Sequence, residues 1–221
     1  MTSALIIIPA YNEGRHIGSV AAACMKYGPV LVVNDGSRDN TADEASGSGA
    51  QVLSQENMGK GAALRTGFSW GLERGYTSFI TLDADGQHDP AEIPLFLACD
   101  RESLVIGARR CREMPFPRNL SNAFGRWLME MTFKQKIQDN QSGYRRIPES
   151  LAKAVLSSSE NGFEFEVEMI ARHVAAGGNI EWIPIRTIYG DEKSHIRPVQ
   201  HVYKFLSVAR KCRKILKKKQ E

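Results

Sequence analysis

Short apolar, β-branched runs recur at residues 5–8, 30–33, 51–54, 79–82 and 104–106. Runs of this kind, without polar alternation, predict strands covered on both faces. Helical spacing fills the intervals. In 13–26, Ile17, Val20, Ala21 and Cys24 fall on one face, and further helices are predicted over 41–45, 60–74 and 90–98. Strand and helix in alternation predict βαβ units, hence an α/β fold with a single, mostly parallel sheet flanked by helices. The second half predicts helices over 118–133 and 163–175, a strand over 182–188, and a helix over 198–218 with proline at its start. No repeat, low-complexity block or proline-rich linker separates the halves, so the second half reads as an elaboration of the first.

Charge divides the chain more sharply than composition does. The 221 residues are 42% hydrophobic and 24% charged, which excludes a disordered chain, and 19 glycines are too few for a fibrous one. Residues 193–221 hold ten Lys/Arg against one acid, a net +9, which leaves a net −5 on residues 1–192. The tail is amphipathic: Val202, Phe205, Leu206, Val208, Ala209, Cys212, Ile215 and Leu216 recur at helical spacing among the basic residues. The division expected is therefore a catalytic domain over 1–196 and a basic amphipathic helix over 197–221. Such a helix suits an anionic membrane surface, packing against the body, or nucleic acid. The acidic body and the scarcity of aromatic residues in the tail count against nucleic acid. No apolar run approaches the roughly 20 residues that span a bilayer, and the 4–9 stretch is too short and too little basic for a signal peptide. Cys24, Cys99, Cys111 and Cys212 form no C-x-x-C pair, so reduced thiols in a cytoplasmic protein are expected rather than a zinc site or a disulfide framework.

In open α/β sheets ligands bind beyond the carboxyl ends of the strands. In this chain those positions carry Pro9-Ala10-Tyr11-Asn12-Glu13, Asn34-Asp35-Gly36-Ser37 and Asp83-Ala84-Asp85-Gly86-Gln87-His88. Asp83 and Asp85, two apart in an extended turn, can converge on a hard cation, Mg²⁺ or Mn²⁺, with Gln87 adding an oxygen. The structural alternative is a solvated turn leading to a helix capped by Asp89. Asp35 follows a buried strand, where a carboxylate can accept from a base or ribose; Ser37 and Asp39 suit a turn and a cap equally well. Asn57-Met58-Gly59-Lys60-Gly61 is not a nucleoside-triphosphatase loop, but it offers glycines and Lys60 at a helix start. Arg109, Arg110, Arg112, Arg118, Arg126, Arg145 and Arg146 crowd the middle of the chain, and their fork geometry suits phosphate. The other reading of these arginines is a solvated face. Asp139 is expected to act as a base, to orient Arg145, or to cap a turn. His88 reads as a turn residue, His195 as structural or donor-closing, and Glu164, Glu166 and Glu168 as a helix surface.

The motifs P-A-Y-N-E, V-N-D-G-S, N-x-G-K-G-x-A and L-D-A-D-G-Q-H, in this order, resemble the nucleotide-sugar-binding half of inverting family 2 glycosyltransferases of the GT-A fold. Asp139–Arg145 and Tyr189–Ser194 resemble the dolichyl-phosphate mannose synthase branch, whose members glycosylate polyprenyl phosphates. The resemblance covers roughly residues 4–196. It implies that Pro9, Tyr11, Glu13 and Asp35 hold base and ribose, and that Asp83, Ala84, Asp85 and Gln87 form the metal and diphosphate turn. Lys60 and Lys193 complete the donor site. Asp85, Asp139 and Arg109 are the catalytic candidates; Arg118, Asn122 and Arg145 are the acceptor candidates. Asn122 departs from the family, where serine is common, and the membrane-spanning helices of many members have no counterpart in the sequence read here. The implied activity is metal-dependent transfer of a hexose from a GDP-mannose or UDP-glucose type donor to a polyprenyl phosphate, peripherally on the inner face of a membrane. A hydroxyl acceptor and a non-catalytic nucleotide-sugar-binding protein are the alternatives.

Overall fold

The computed structural model describes residues 4–109, 126–162, 164–186, 188 and 198–217, with the backbone alone for 198–206. Its elements are β1 (Leu5–Ala10), α1 (Ile17–Cys24), β2 (Val30–Asp35), α2 (Thr41–Gly47), β3 (Gln51–Gln55), α3 (Lys60–Glu73) and β4 (Ser78–Thr81). A 3₁₀ turn (Pro90–Glu92), capped by Asp89, then runs into α4 (Ile93–Leu97). There follow β5 (Leu104–Arg109), α5 (126–133), β6 (Arg145–Pro148), α6 (Glu149–Val155), α7 (Glu164–Ala175), β7 (Ile180–Ile185) and α8 (Pro198–Lys217).

The strands form one sheet in the order β3-β2-β1-β4-β6-β5-β7, parallel at every pairing except the two made by β6. Strand alternation sends Leu5 and Ile7 into a core beneath α3, α6, α7 and α8, and Ile6 and Ile8 into one beneath α1 and α4. Each fully buried side chain of this size contributes about 1.5–3 kcal/mol. The expected fold class is the one observed.

Two details differ from the sequence reading, and a third concerns a choice it left open. Helix α1 starts four residues later than its apolar spacing predicts, because the preceding amides are used elsewhere. The N–H of Asn12 donates to Ser37 Oγ, that of Glu13 to Thr41 Oγ1 and that of Gly14 to Asp39 Oδ2, tying the turn after β1 to the turn after β2. Ser37 and Asp39 are thus loop stitches. Strand β6 was not expected, since Arg-Arg-Ile-Pro carries no apolar run. Its alternation nonetheless buries one guanidinium on each side of the sheet. Arg146 donates to the carbonyls of Phe96, Cys99 and Asp100, closing the end of α4.

The third detail concerns the tail. Val208, Ala209 and Cys212 are buried against the body, and Lys211 pairs with Glu160 and Glu168, so the apolar stripe of this half of α8 is used by the core. Arg210, Arg213, Lys214 and Lys217 remain exposed. Burial pushes the thiols of Cys24 and Cys212 up to about 12, which leaves them unreactive at neutral pH. Among the described residues no helix is long and apolar enough to cross a membrane.

Replacing Arg146 by Met would remove the guanidinium from three carbonyls at the end of α4, one buried and two partly buried. Urea denaturation should show a loss of about 2–4 kcal/mol. A change below about 0.5 kcal/mol, the usual range of surface substitutions, would mean that Arg146 does not brace α4.

Candidate active site

A cavity of about 270 Å³ opens at the carboxyl ends of β1, β2 and β4. Pro9, Ala10, Tyr11 and Glu13 line it from the β1 side, Asp35 from β2, Lys60 and Ala63 from α3, and Asp83, Ala84 and Asp85 from the turn after β4. The motifs read separately in the sequence therefore meet at one place. Asp35, the last residue of β2, is 3% exposed. Its Oδ1 accepts from Gln55 Nε2 (2.7 Å) and Met58 N (3.0 Å), and its Oδ2 from Gly59 N (2.7 Å). Three of the roughly four lone-pair positions of a carboxylate are thus spent on shaping the loop into α3. That loop needs glycine at 59, where φ is +96° and a Cβ would lie 2.5 Å from the Asn161 carbonyl oxygen. The loop delivers Lys60 as the first residue of α3.

Lys60 Nζ lies 2.5 Å from Asp83 Oδ1 and 3.0 Å from Glu166 Oε1. Burial opposes ionisation of Asp83, yet the charge of Lys60 outweighs it and the carboxyl is pushed down to about 2. Lys60, flanked by two carboxylates, is held above the usual lysine range despite its burial. The backbone N–H of Asp83 donates to Nδ1 of His88, which is 4% exposed and tilted against Tyr144; burial lowers its basicity. His88 is thus a neutral brace of the Asp83 turn. Asp85 Oδ1 accepts from Gln87 N (2.9 Å), and the Gln87 carbonyl accepts from Ile188 N (3.0 Å), fastening the turn to the segment after β7.

Arg109, at the end of β5, grips Asp139 through Nε to Oδ2 (2.7 Å) and Nη2 to Oδ1 (3.0 Å), while Gln141 N also donates to Oδ1 (3.0 Å). Burial of Asp139 is outweighed by these hydrogen bonds and the arginine charge, which hold it below the usual carboxylate range. Asp139 therefore orients Arg109, not Arg145, and a carboxylate held ionised in this way is a poor base. Arg145 is fully buried, with Nε on the Ser142 carbonyl, Nη1 on that of Glu166 and Nη2 on that of Asn140. This corrects the reading of Arg145 and Arg146 as phosphate forks: both guanidinium groups are bound to backbone. The reading of Glu166 and Glu168 as helix surface is likewise corrected. Glu166 is 5% exposed and paired with Lys60; Glu168 is 2% exposed and paired with Arg172 and Ser158. Glu166 and His88 are the site residues that the sequence reading missed. Arg110, Arg112, Arg118, Asn122, Lys193 and His195 lie outside the described residues.

Residues 5–151 match the family model described as "Glycosyl transferase family 2". The chain belongs to glycosyl transferase family 2. It is 34% identical over 198 residues to an undecaprenyl-phosphate mannosyltransferase of Micrococcus luteus, covering 82% of each chain. It is 35% identical over 205 residues to a polyprenol monophosphomannose synthase of Mycolicibacterium smegmatis, covering 82% of this chain and 76% of that one. In fold it resembles glucosyl-3-phosphoglycerate synthase of Mycobacterium tuberculosis, solved with Mn²⁺, UDP and glucosyl-3-phosphoglycerate. There the TM-score is 0.72 at 17% identity, over 99% of this chain and 80% of that one. The sheet and its flanking helices are accordingly a GT-A fold, and the protein is a glycosyltransferase.

The carboxylates of this glycosyltransferase fit a hard divalent cation. Asp83 and Asp85 line one cavity, Asp83 is ionised throughout the physiological range, and a cationic group, the Lys60 ammonium, already lies against it. Two carboxylates completed by substrate phosphate and water are the usual complement for Mg²⁺. Gly143 makes this crowding possible, since a Cβ there would lie 2.6 Å from Asp83 Oδ1 and 2.7 Å from Lys60 Nζ. Thr81 Oγ1 fixes the glycine by donating to its carbonyl (2.8 Å). Gly143→Ala should therefore displace the pair without unfolding the protein. Turnover is expected to fall by roughly tenfold or more, as misplacement of reacting groups by about an ångström can do, while thermal melting shifts by only a few degrees. Unaltered turnover would show that the Asp83–Lys60 spacing is unimportant.

Proposed function

We propose that this glycosyltransferase moves a hexosyl group, with inversion, from a nucleoside-diphosphate sugar to a polyprenyl phosphate. The observation that carries the reading is the Arg109–Asp139 pair, whose arginine charge reaches Asp83 at the cavity. A hydroxyl acceptor needs a general base, and Asp139, the candidate base of the sequence reading, is committed to an arginine and held below the usual carboxylate range. A phosphate monoester is already anionic near neutral pH, and an arginine oriented by a buried carboxylate is suited to receive it. The two bacterial relatives, named for transfer to lipid phosphates, support the same acceptor class and support mannose as the hexose.

The proposed division of labour follows the cavity. Tyr11, Glu13 and Asp35 contact the nucleoside, and Lys60 stands by the diphosphate. Asp83 and Asp85, with Gln87 beside them, would hold Mg²⁺ or Mn²⁺, which when bound stabilises charge developing on the leaving diphosphate. Arg109 orients the acceptor phosphate, with Asp139 fixing its rotamer. Arg118, Asn122 and Lys193 are proposed as further phosphate contacts on the strength of the motif resemblance. Retention of Asp83, Asp85 and Lys60 in one cavity supports turnover over a purely binding role.

The same reading places the enzyme at the inner face of a membrane. Met131 and Lys134 of the α5 region line one groove with Arg213 and Lys217 of α8, and Trp127 and Met131 are 55% and 60% exposed. Apolar side chains beside exposed basic ones suit an interface with anionic lipid.

A panel of GDP- and UDP-hexoses with Mg²⁺ or Mn²⁺, offered a short polyprenyl phosphate and the matching polyprenol, tests the acceptor. Product is expected on the phosphate alone; product only on the alcohol would overturn the reading. Asp139→Asn should lower turnover about tenfold, the scale of a lost orienting contact, without moving the acid limb of the pH–rate profile. A shifted limb would restore Asp139 as the base. In vesicle sedimentation, Arg210→Gln, Arg213→Gln and Lys217→Gln together should weaken binding to anionic vesicles by roughly a hundredfold, at about 1 kcal/mol per basic residue. Unchanged binding would remove α8 from the proposed membrane face.

A further inference from the structure

Lys60, Asp83 and Glu166 are ordered from the cavity inward. The side chains of Asp83 and Lys60 are 30% and 32% exposed, whereas that of Glu166 is 6% exposed. One ammonium thus spans an outer carboxylate, which faces the cavity, and an inner one, which does not line it. Around them Arg109 and Arg145 feel the charges of Asp83, Glu166 and Asp139, while Asp85 lines the same cavity as Asp83. A divalent cation arriving at Asp83, even on Oδ2, would stand close to the ammonium on Oδ1 and repel it. If Lys60 had only Asp83 as partner, its departure would strand a partly buried charge, which is strongly unfavourable. Glu166, already 3.0 Å away, removes that obstacle.

We infer that Glu166 is a positioning residue that receives the Lys60 ammonium when a divalent cation takes Asp83, so that Lys60 serves as the counter-cation of the empty site and Glu166 as its resting place in the loaded one. The inference rests on the reading of Asp83 as a metal ligand. It goes beyond that reading by assigning a role to a buried acid of α7 outside the strand-end motifs.

The test is Mn²⁺ binding to the full chain without nucleotide, followed by the electron paramagnetic resonance signal of free Mn²⁺. Lys60→Met should bind Mn²⁺ tighter than wild type by roughly fivefold, the scale of one partly exposed ion pair. Glu166→Gln should bind it more weakly, and by a larger factor when Lys60 is present than in the Lys60→Met background. That difference between backgrounds is the coupling between the two residues, which a merely structural role for Glu166 would not produce. Equal effects of Glu166→Gln in both backgrounds, or no tightening in Lys60→Met, would overturn the inference. Should Glu166→Gln fail to fold, the sign of the Lys60→Met change decides alone. Asp83→Asn separates the two levels: unchanged Mn²⁺ affinity there would sink the metal-ligand reading itself. Loss of affinity in Asp83→Asn without tightening in Lys60→Met would sink only the exchange.

Discussion

The ammonium of Lys60 between Asp83 and Glu166 is the contact on which the active end of the sheet depends. Parallel strands deliver acids to one edge, and acids gathered in a partly buried cavity repel one another unless cations are built in among them. Much of the local architecture answers that requirement. The carboxylate of Asp35 shapes the loop that starts α3 with Lys60, Gly143 lets the Asp83–Lys60 pair sit against backbone, and α7 supplies the inner carboxylate. The antiparallel strand β6 belongs to the same solution. It places Arg145 beneath the site, where the guanidinium offsets Glu166 and Asp139 while holding three carbonyls. Removing any one of these elements leaves a charge without its partner, so they are constrained as a set.

What the sequence disclosed follows from how local each signal is. Strands β1, β2 and β4 and the polar turns after them were legible because a buried strand and its terminal turn lie in one short stretch of chain. The convergence of Asp35, Asp83 and Asp85 needed only the rule that parallel strands share a carboxyl end. Glu166 and Arg145 were misread because their meaning is tertiary. An acid in F-E-F-E-V-E is a surface residue unless a cation from another helix stands opposite it, and Arg-Arg-Ile-Pro is a strand only because β4 and β5 leave a slot between them. The late start of α1 has the same origin, since the residues that take its first amides come from the turn after β2. The basic helix was legible as amphipathic, but not which surface its apolar stripe would cover.

Burial of that stripe changes what α8 can do. With Val208, Ala209 and Cys212 in the core, the helix is anchored to the body and its exposed basic residues are held at a fixed place on the surface. A tethered, disordered basic tail would attract an anionic surface without orienting the enzyme upon it. A docked helix presents its charges beside the exposed Trp127 and Met131 of α5 and so defines a face. Ion pairs from Lys211 to Glu160, just before α7, and to Glu168 on it tie α8 to the helix that also carries Glu166. The proposed lipid-facing surface and the proposed cation site therefore both involve the α7–α8 layer.

The same packing bears on the acceptor. The proposed lipid-phosphate acceptor would approach with its charge near the membrane plane, which favours receiving cations that are ordered before it arrives. Free arginines on flexible loops would bind phosphate while losing much rotamer entropy on ordering, whereas an arginine gripped at two nitrogens by a buried carboxylate has already lost it. Arg109 meets that description, with both oxygens of Asp139 engaged and Gln141 N holding the carboxylate from behind. Asp139 is more useful ionised than as a proton acceptor, because protonation would release Arg109 at the moment its charge is needed. In this arrangement the commitment of Asp139 to Arg109 and the order of the receiving cation are one feature, and both favour the proposed acceptor, which brings its own negative charge.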